Sequence, residues 1–147
     1  DTNPRTGAAA IERFGKTLSG WLALGRPWPA SWGSSGPPIP TCAGVPATIT
    51  GTGGDDTLRG TPARDVITSF AGDDRVQGGG GDDLICTGPG SDQAVGGPGA
   101  DRILAGPGSD RSSGGPGDDV LVGGAGADVA RGGSGRDACG AERRVGC

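Results

Sequence analysis

The chain has 147 residues, of which 34 are glycine and 12 proline, and only 32 % are hydrophobic, so it can bury little core. Histidine, tyrosine and methionine are absent, which removes the usual general base and makes a zinc site with imidazole ligands unavailable. The net charge is −4, distributed as −7 over residues 51–140, +2 over residues 1–50 and +1 over the last seven. That balance does not favour nucleic acid, and no apolar run approaches the ~18 residues of a membrane span.

In chain order, residues 6–24 have the spacing of an amphipathic helix. Ile11, Phe14, Leu18, Trp21 and Leu22 share one face, with Glu12, Arg13, Lys16 and Ser19 opposite. Thr6 stands where a cap is expected, and Gly25 and Pro27 mark the end. The expected first segment is therefore an N-terminal helical arm, residues 1–25. A proline-rich linker with Trp28 and Trp32 covers residues 26–41. Thr48, Ile49 and Thr50 form an incomplete opening repeat.

From Gly51 to Gly140 the chain falls into ten consecutive nonads without insertion or deletion. The sixth place is aspartate every time: Asp56, Asp65, Asp74, Asp83, Asp92, Asp101, Asp110, Asp119, Asp128 and Asp137. The first four places are mostly glycine and the eighth is mostly aliphatic, as in Leu58, Ile67, Val76, Ile85, Ile103 and Leu121. Glycines allow a tight turn, and a three-residue strand then sends its middle side chain inward. Two nonads per turn of the chain give an all-β parallel β-roll, a β-solenoid over residues 42–140, with residues 141–147 as a C-terminal cap. Stacked strands lie about 4.8 Å apart, so like carboxylates come together every 18 residues and destabilise the fold unless a cation lies between them. Carboxylate and carbonyl oxygens suit a hard cation, calcium before magnesium.

This pattern, G-G-x-G-x-D-x-U-x, resembles the calcium-binding nonapeptide repeat of RTX proteins over residues 51–140. The resemblance implies calcium ions between stacked turns, held by the ten aspartates and by main-chain carbonyls such as those of Gly79, Gly81, Gly97, Gly99, Gly115 and Gly117. The aspartates fall into two columns, one starting at Asp56 and the other at Asp65, with at most eight ions. Ala63, Ser69, Phe70 and Thr87 break the glycine pattern, so their turns are the expected weak points for an ion.

The outward strand places differ between the two sheets. Odd repeats show polar side chains such as Arg59, Arg75, Gln93, Arg111 and Arg131, a face for water. Even repeats show Val66, Leu84, Cys86, Leu104, Val120 and Val122, an apolar face that asks for a cover, which the amphipathic arm is expected to supply. An even count of four cysteines fits two disulfides in an oxidising compartment. Cys86 lies on the apolar face, so the expected pairs are Cys42–Cys86 and Cys139–Cys147.

No nucleophile–base constellation is present, and adjacent acids such as Asp82 and Asp83 follow the nonad register rather than a cleft. The expectation is a non-enzymatic, extracellular protein whose opening at Asp1 fits removal of a signal peptide. Its expected role is structural: self-association into a filament or surface coat through the roll ends and the arm. The alternatives are an RTX-type secretion or folding module, and a module that adheres to glycan or a cell surface.

Overall fold

The computed structural model describes residues 40–147, and Thr41–Cys147 form one compact unit. The helical arm and most of the linker fall outside the described residues. A short antiparallel hairpin comes first, β1 (Thr41–Cys42) and β2 (Val45–Pro46), turning through Ala43 and Gly44 at positive φ. The strands that follow are β3 (Ile49–Thr50), β4 (Thr57–Arg59), β5 (Val66–Thr68), β6 (Arg75–Gln77), β7 (Leu84–Cys86) and β8 (Gln93–Val95). The coil continues with β9 (Arg102–Leu104), β10 (Arg111–Pro116), β11 (Val120–Val122), β12 (Val129–Ser134), β13 (Ala138–Gly140) and β14 (Arg143–Val145).

These strands alternate between two six-stranded parallel sheets, ordered β4-β6-β8-β10-β12-β14 and β3-β5-β7-β9-β11-β13. The architecture is a parallel β-solenoid of two nonads per coil. Neighbouring strands pair residues 18 apart, as in Ile67↔Ile85 and Val76↔Ala94, so every nonad place stacks on itself. The opening half-repeat joins in the same register through Ile49↔Ile67. The last step is shorter: Val129 pairs with Arg143, because the segment after β13 lacks a full glycine turn. Residues 141–147 thus extend one sheet by a strand, and the Cys139–Cys147 bond ties that strand back.

The eighth-place side chains meet between the sheets. Ile67, Ile85, Ile103 and Leu121 form one fully buried row, facing Val76, Ala94 and Ala130 of the other sheet. Fully burying a side chain of this size contributes roughly 1.5–3 kcal/mol. Two of the seven buried residues in this cluster are alanines, so the core remains thin.

On the outer face of the β3–β13 sheet, Cys42, Val66 and Leu84 form a second buried cluster, with Ala47 and Cys86 against it. The Cys42–Cys86 disulfide, with a Cα–Cα distance of 5.6 Å, pins the hairpin there. This corrects the expectation that only the helical arm could cover the apolar face. Residues 42–47 cover its first part because the disulfide brings them onto it. Farther along, Val120 and Val122 are exposed.

Candidate metal columns

Each coil begins with a turn that ends in the sixth-place aspartate, and the 18-residue register stacks these turns into two columns. From the third repeat on, places two and four have positive φ; Gly97 and Gly99, for example, stand at +114° and +139°. A Cβ on Gly97 would run into the carbonyl oxygen of Gly79, and one on Gly99 into that of Gly81. The same holds for Gly115 over Gly97, Gly117 over Gly99, Gly133 over Gly115 and Gly135 over Gly117. The six carbonyls named from the sequence therefore all project along the column toward the next coil. Glycine is needed here for a left-handed backbone and for this close approach together.

The aspartates form continuous ladders. The main-chain N–H of Asp65 donates to Oδ1 of Asp83 at 2.8 Å, that of Asp83 to Asp101, and that of Asp101 to Asp119. The other column repeats this from Asp56 to Asp74, Asp92, Asp110 and Asp128. Sequence reasoning missed this use of Oδ1, because it placed only a cation between the carboxylates. The second oxygen behaves differently. Oδ2 is buried and has no hydrogen-bond partner in Asp74, Asp83, Asp92, Asp101, Asp110, Asp119, Asp128 and Asp137. It lies over the α-carbon of the first residue of its own turn, where a Cβ on Gly96 would strike Asp101 and one on Gly114 would strike Asp119.

The first aspartate of each column is the exception. Thr52 donates both its N–H and its Oγ1 to Oδ2 of Asp56, at 2.5 and 2.8 Å. Thr61 does the same to Asp65, at 2.6 and 2.9 Å. No described residue from 45 to 69 has a positive φ, so these two turns also lack the left-handed places. A threonine at place two thus closes the turn on its own carboxylate. The turns interrupted by Ser69, Phe70 and Thr87 instead keep an open oxygen, on Asp74 and Asp92.

An orphaned buried oxygen is costly unless something pairs with it. Burial pushes the carboxyls of Asp83, Asp92 and Asp119 above their ordinary range, and takes Asp101 and Asp110 up to about 6. Stacked aspartates such as Asp83 beside Asp101 add to that shift. A divalent cation reverses it, supplying the positive charge that burial and like-charge repulsion demand. Among the described residues no three His, Cys, Asp or Glu side chains converge on one point. What the columns offer a cation is the open Oδ2 atoms of stacked turns beside projecting main-chain carbonyls, an all-oxygen set suited to calcium.

The fifth-place acids do another job. Oδ1 of Asp55 accepts from the Asp73 N–H, that of Asp73 from Ser91, that of Asp82 from Ala100 and that of Asp118 from Arg136. These exposed acids pin neighbouring coils together at the turn surface. Each Asp–Asp pair thus has one acid on the surface and one in the column.

The fold and these columns define a parallel β-solenoid with oxygen-lined turns built for a hard cation. The chain belongs to the RTX calcium-binding nonapeptide repeat family: a model of four such copies matches residues 50–85, 87–120 and 113–139. No curated protein and no solved structure matches the chain.

Proposed function

We propose that the chain is an extracellular structural module that calcium locks into its folded form, with ions seated between successive coils in both turn columns. The observation that carries this is the set of eight buried, unpartnered Oδ2 atoms. They lie in the same columns as the projecting carbonyls of Gly79, Gly81, Gly97, Gly99, Gly115 and Gly117. With the two threonine-closed turns acting as metal-free starts, four open turns remain in each column, which leaves three gaps per column and six seats at most. Two disulfides favour an oxidising compartment. Repeat domains of this family are ordinarily non-catalytic, which fits a scaffold.

Self-association through the roll ends extends this role to a filament or surface coat. At the N-terminal end, β4 closes its sheet with β6 as its one strand neighbour among the described residues. A sheet end of that kind accepts a further strand from another copy. Electron microscopy and calcium-dependent circular dichroism of the full chain test both levels. Fibres in millimolar calcium that vanish with a chelator support the assembly. Compact monomers in calcium would remove the filament and leave the module, and a chain equally folded with and without calcium would overturn the whole proposal.

A further inference from the structure

The outer face of the β4–β14 sheet has a charge pattern that the calcium columns do not use. Places seven and nine of the odd repeats point outward there, and the register aligns them in two rows across the strands. Those rows hold five exposed arginines, Arg59, Arg75, Arg111, Arg131 and Arg143, and no acid. Only one arginine, Arg102, occupies the outward places of the opposite sheet.

This contrasts with the acidic character of the whole chain. Ten of the 14 acids in residues 51–140 are ladder aspartates, and the other four, Asp55, Asp73, Asp82 and Asp118, stand in turns. Outside the ladders that leaves seven arginines against four acids. The sheet face is therefore basic although the protein is acidic.

Geometry adds a second observation. A groove of about 400 Å3 lies on this face across β8, β10, β12 and β14 and is lined by no residue of the other sheet. Arg111, Arg131 and Arg143 border it with Gln93 and Ser113, and Val95, Val129 and Val145 lie between them. Arg111 and Arg143 are two strands apart in one row, roughly 10 Å at the usual strand spacing, and so are Arg75 and Arg111. Guanidinium groups bind carboxylate and sulfate through paired hydrogen bonds, and amide and hydroxyl groups between them suit sugar hydroxyls.

We infer that this face binds a linear acidic polysaccharide, its carboxylates or sulfates on the arginine rows and its sugar hydroxyls on Gln93 and Ser113. The two-strand spacing is comparable with the disaccharide repeat of such a polymer in extended form. Among the described residues the face has no aromatic side chain on which nucleobases could stack. Its apolar side chains, Val95, Val129 and Val145, are interleaved with the polar and basic ones and do not form the continuous apolar face that holds an amphipathic element in a membrane.

The proposal requires the folded, calcium-loaded roll, so calcium-dependent circular dichroism is recorded on every sample. The full chain in calcium is titrated calorimetrically with soluble chondroitin sulfate, with neutral dextran as blank. The triple variant R111Q/R131Q/R143Q is expected to weaken binding by on the order of tenfold or more. The control R64Q/R102Q/R136Q makes the same charge change away from the face and should lose less than about threefold. R111Q alone, the smallest change, should lose about threefold and guards against misfolding of the triple variant. Equal losses in face and control variants would reduce the effect to net charge and overturn the site. So would a folded wild-type chain that gives no heat with chondroitin sulfate, or one that binds duplex DNA or phosphatidylserine vesicles more tightly than the polysaccharide. A chain that fails to fold with calcium overturns the calcium reading instead, a result visible by circular dichroism.

Discussion

The main-chain N–H of Asp83 donates to Oδ1 of Asp101 at 2.8 Å, while Oδ2 of Asp101 is buried without a partner. One carboxylate is therefore half protein-bound and half open. Backbone stacking uses the first oxygen, and the second oxygen makes the stack unfavourable unless a cation pairs with it.

Asp101→Asn separates the two effects. The amide keeps an acceptor for the Asp83 N–H and removes a buried charge. In chelator, the variant should resist urea better than the parent by about 1–3 kcal/mol. In calcium it should be less stable than the parent, because a ligand is lost from the column. Urea midpoints under both conditions check this crossing, and a variant weaker in both would mean that Oδ2 serves the apo fold.

Thr61 tests the metal-free start of a column. Thr61→Val removes the Oγ1 bond to Asp65 and the exposed Oγ1 bonds with Ala63, and leaves the main-chain bond to Asp65. The expected loss is about 1 kcal/mol in chelator and in calcium alike. Calorimetry should return the parent's calcium stoichiometry, since this turn takes no ion.

Phe70 occupies place two of its turn with φ at +73°, where later repeats have glycine. Its ring is exposed, so little packing offsets the strain. Phe70→Gly should raise stability in calcium by about 1 kcal/mol. Gly97→Ala runs the other way: the left-handed backbone and the Gly79 carbonyl both oppose the methyl group. It should cost on the order of 3 kcal/mol. Thermal melts of the pair decide whether left-handed turns limit stability.

Burial raises the carboxyls of Asp101 and Asp110 from 3.8 to about 6. A group protonated more readily in the folded state stabilises the fold fully below its unfolded pKa, and that stabilisation is lost as pH rises through the folded value. Without calcium, the roll should therefore be more stable near about pH 4.5 than near about pH 7.5. Calcium affinity should move oppositely, falling as pH drops through about 6, because the ion needs the ionised carboxylates. Denaturation in metal-stripped buffer and calcium titration across that range report the two signs.

The Cys42–Cys86 bond spans a sequence separation of 44 and holds the hairpin over Val66 and Leu84. Replacing both cysteines by serine should cost roughly 2–5 kcal/mol. It should also raise binding of a hydrophobic dye, as Val66 and Leu84 lose their cover. Loss of stability without added dye binding would show that the hairpin stays in place unaided.

The sequence alone determined the roll, because an unbroken period of nine repeats one glycine turn, one aspartate and one short strand with a mostly aliphatic inward place. Stacking every 18 residues follows from that period, and with it the two columns and the inward row from Ile67 to Leu121. The even-face pattern also placed Cys86 where Cys42 could reach it. Only the tertiary structure decided how each carboxylate divides its oxygens. Oδ1 is taken by an N–H 18 residues away, a contact set by strand register and twist rather than by composition. Likewise, Thr52 and Thr61 reveal their role only once the turn bends each hydroxyl back onto Asp56 and Asp65. The cover over Val66 and Leu84 comes from the hairpin, which the Cys42–Cys86 bond holds on that face. The arginine rows were present in the sequence as scattered polar places. They became one basic surface only when the coil stacked Arg75, Arg111 and Arg143 on the same side and left the ladder acids inside.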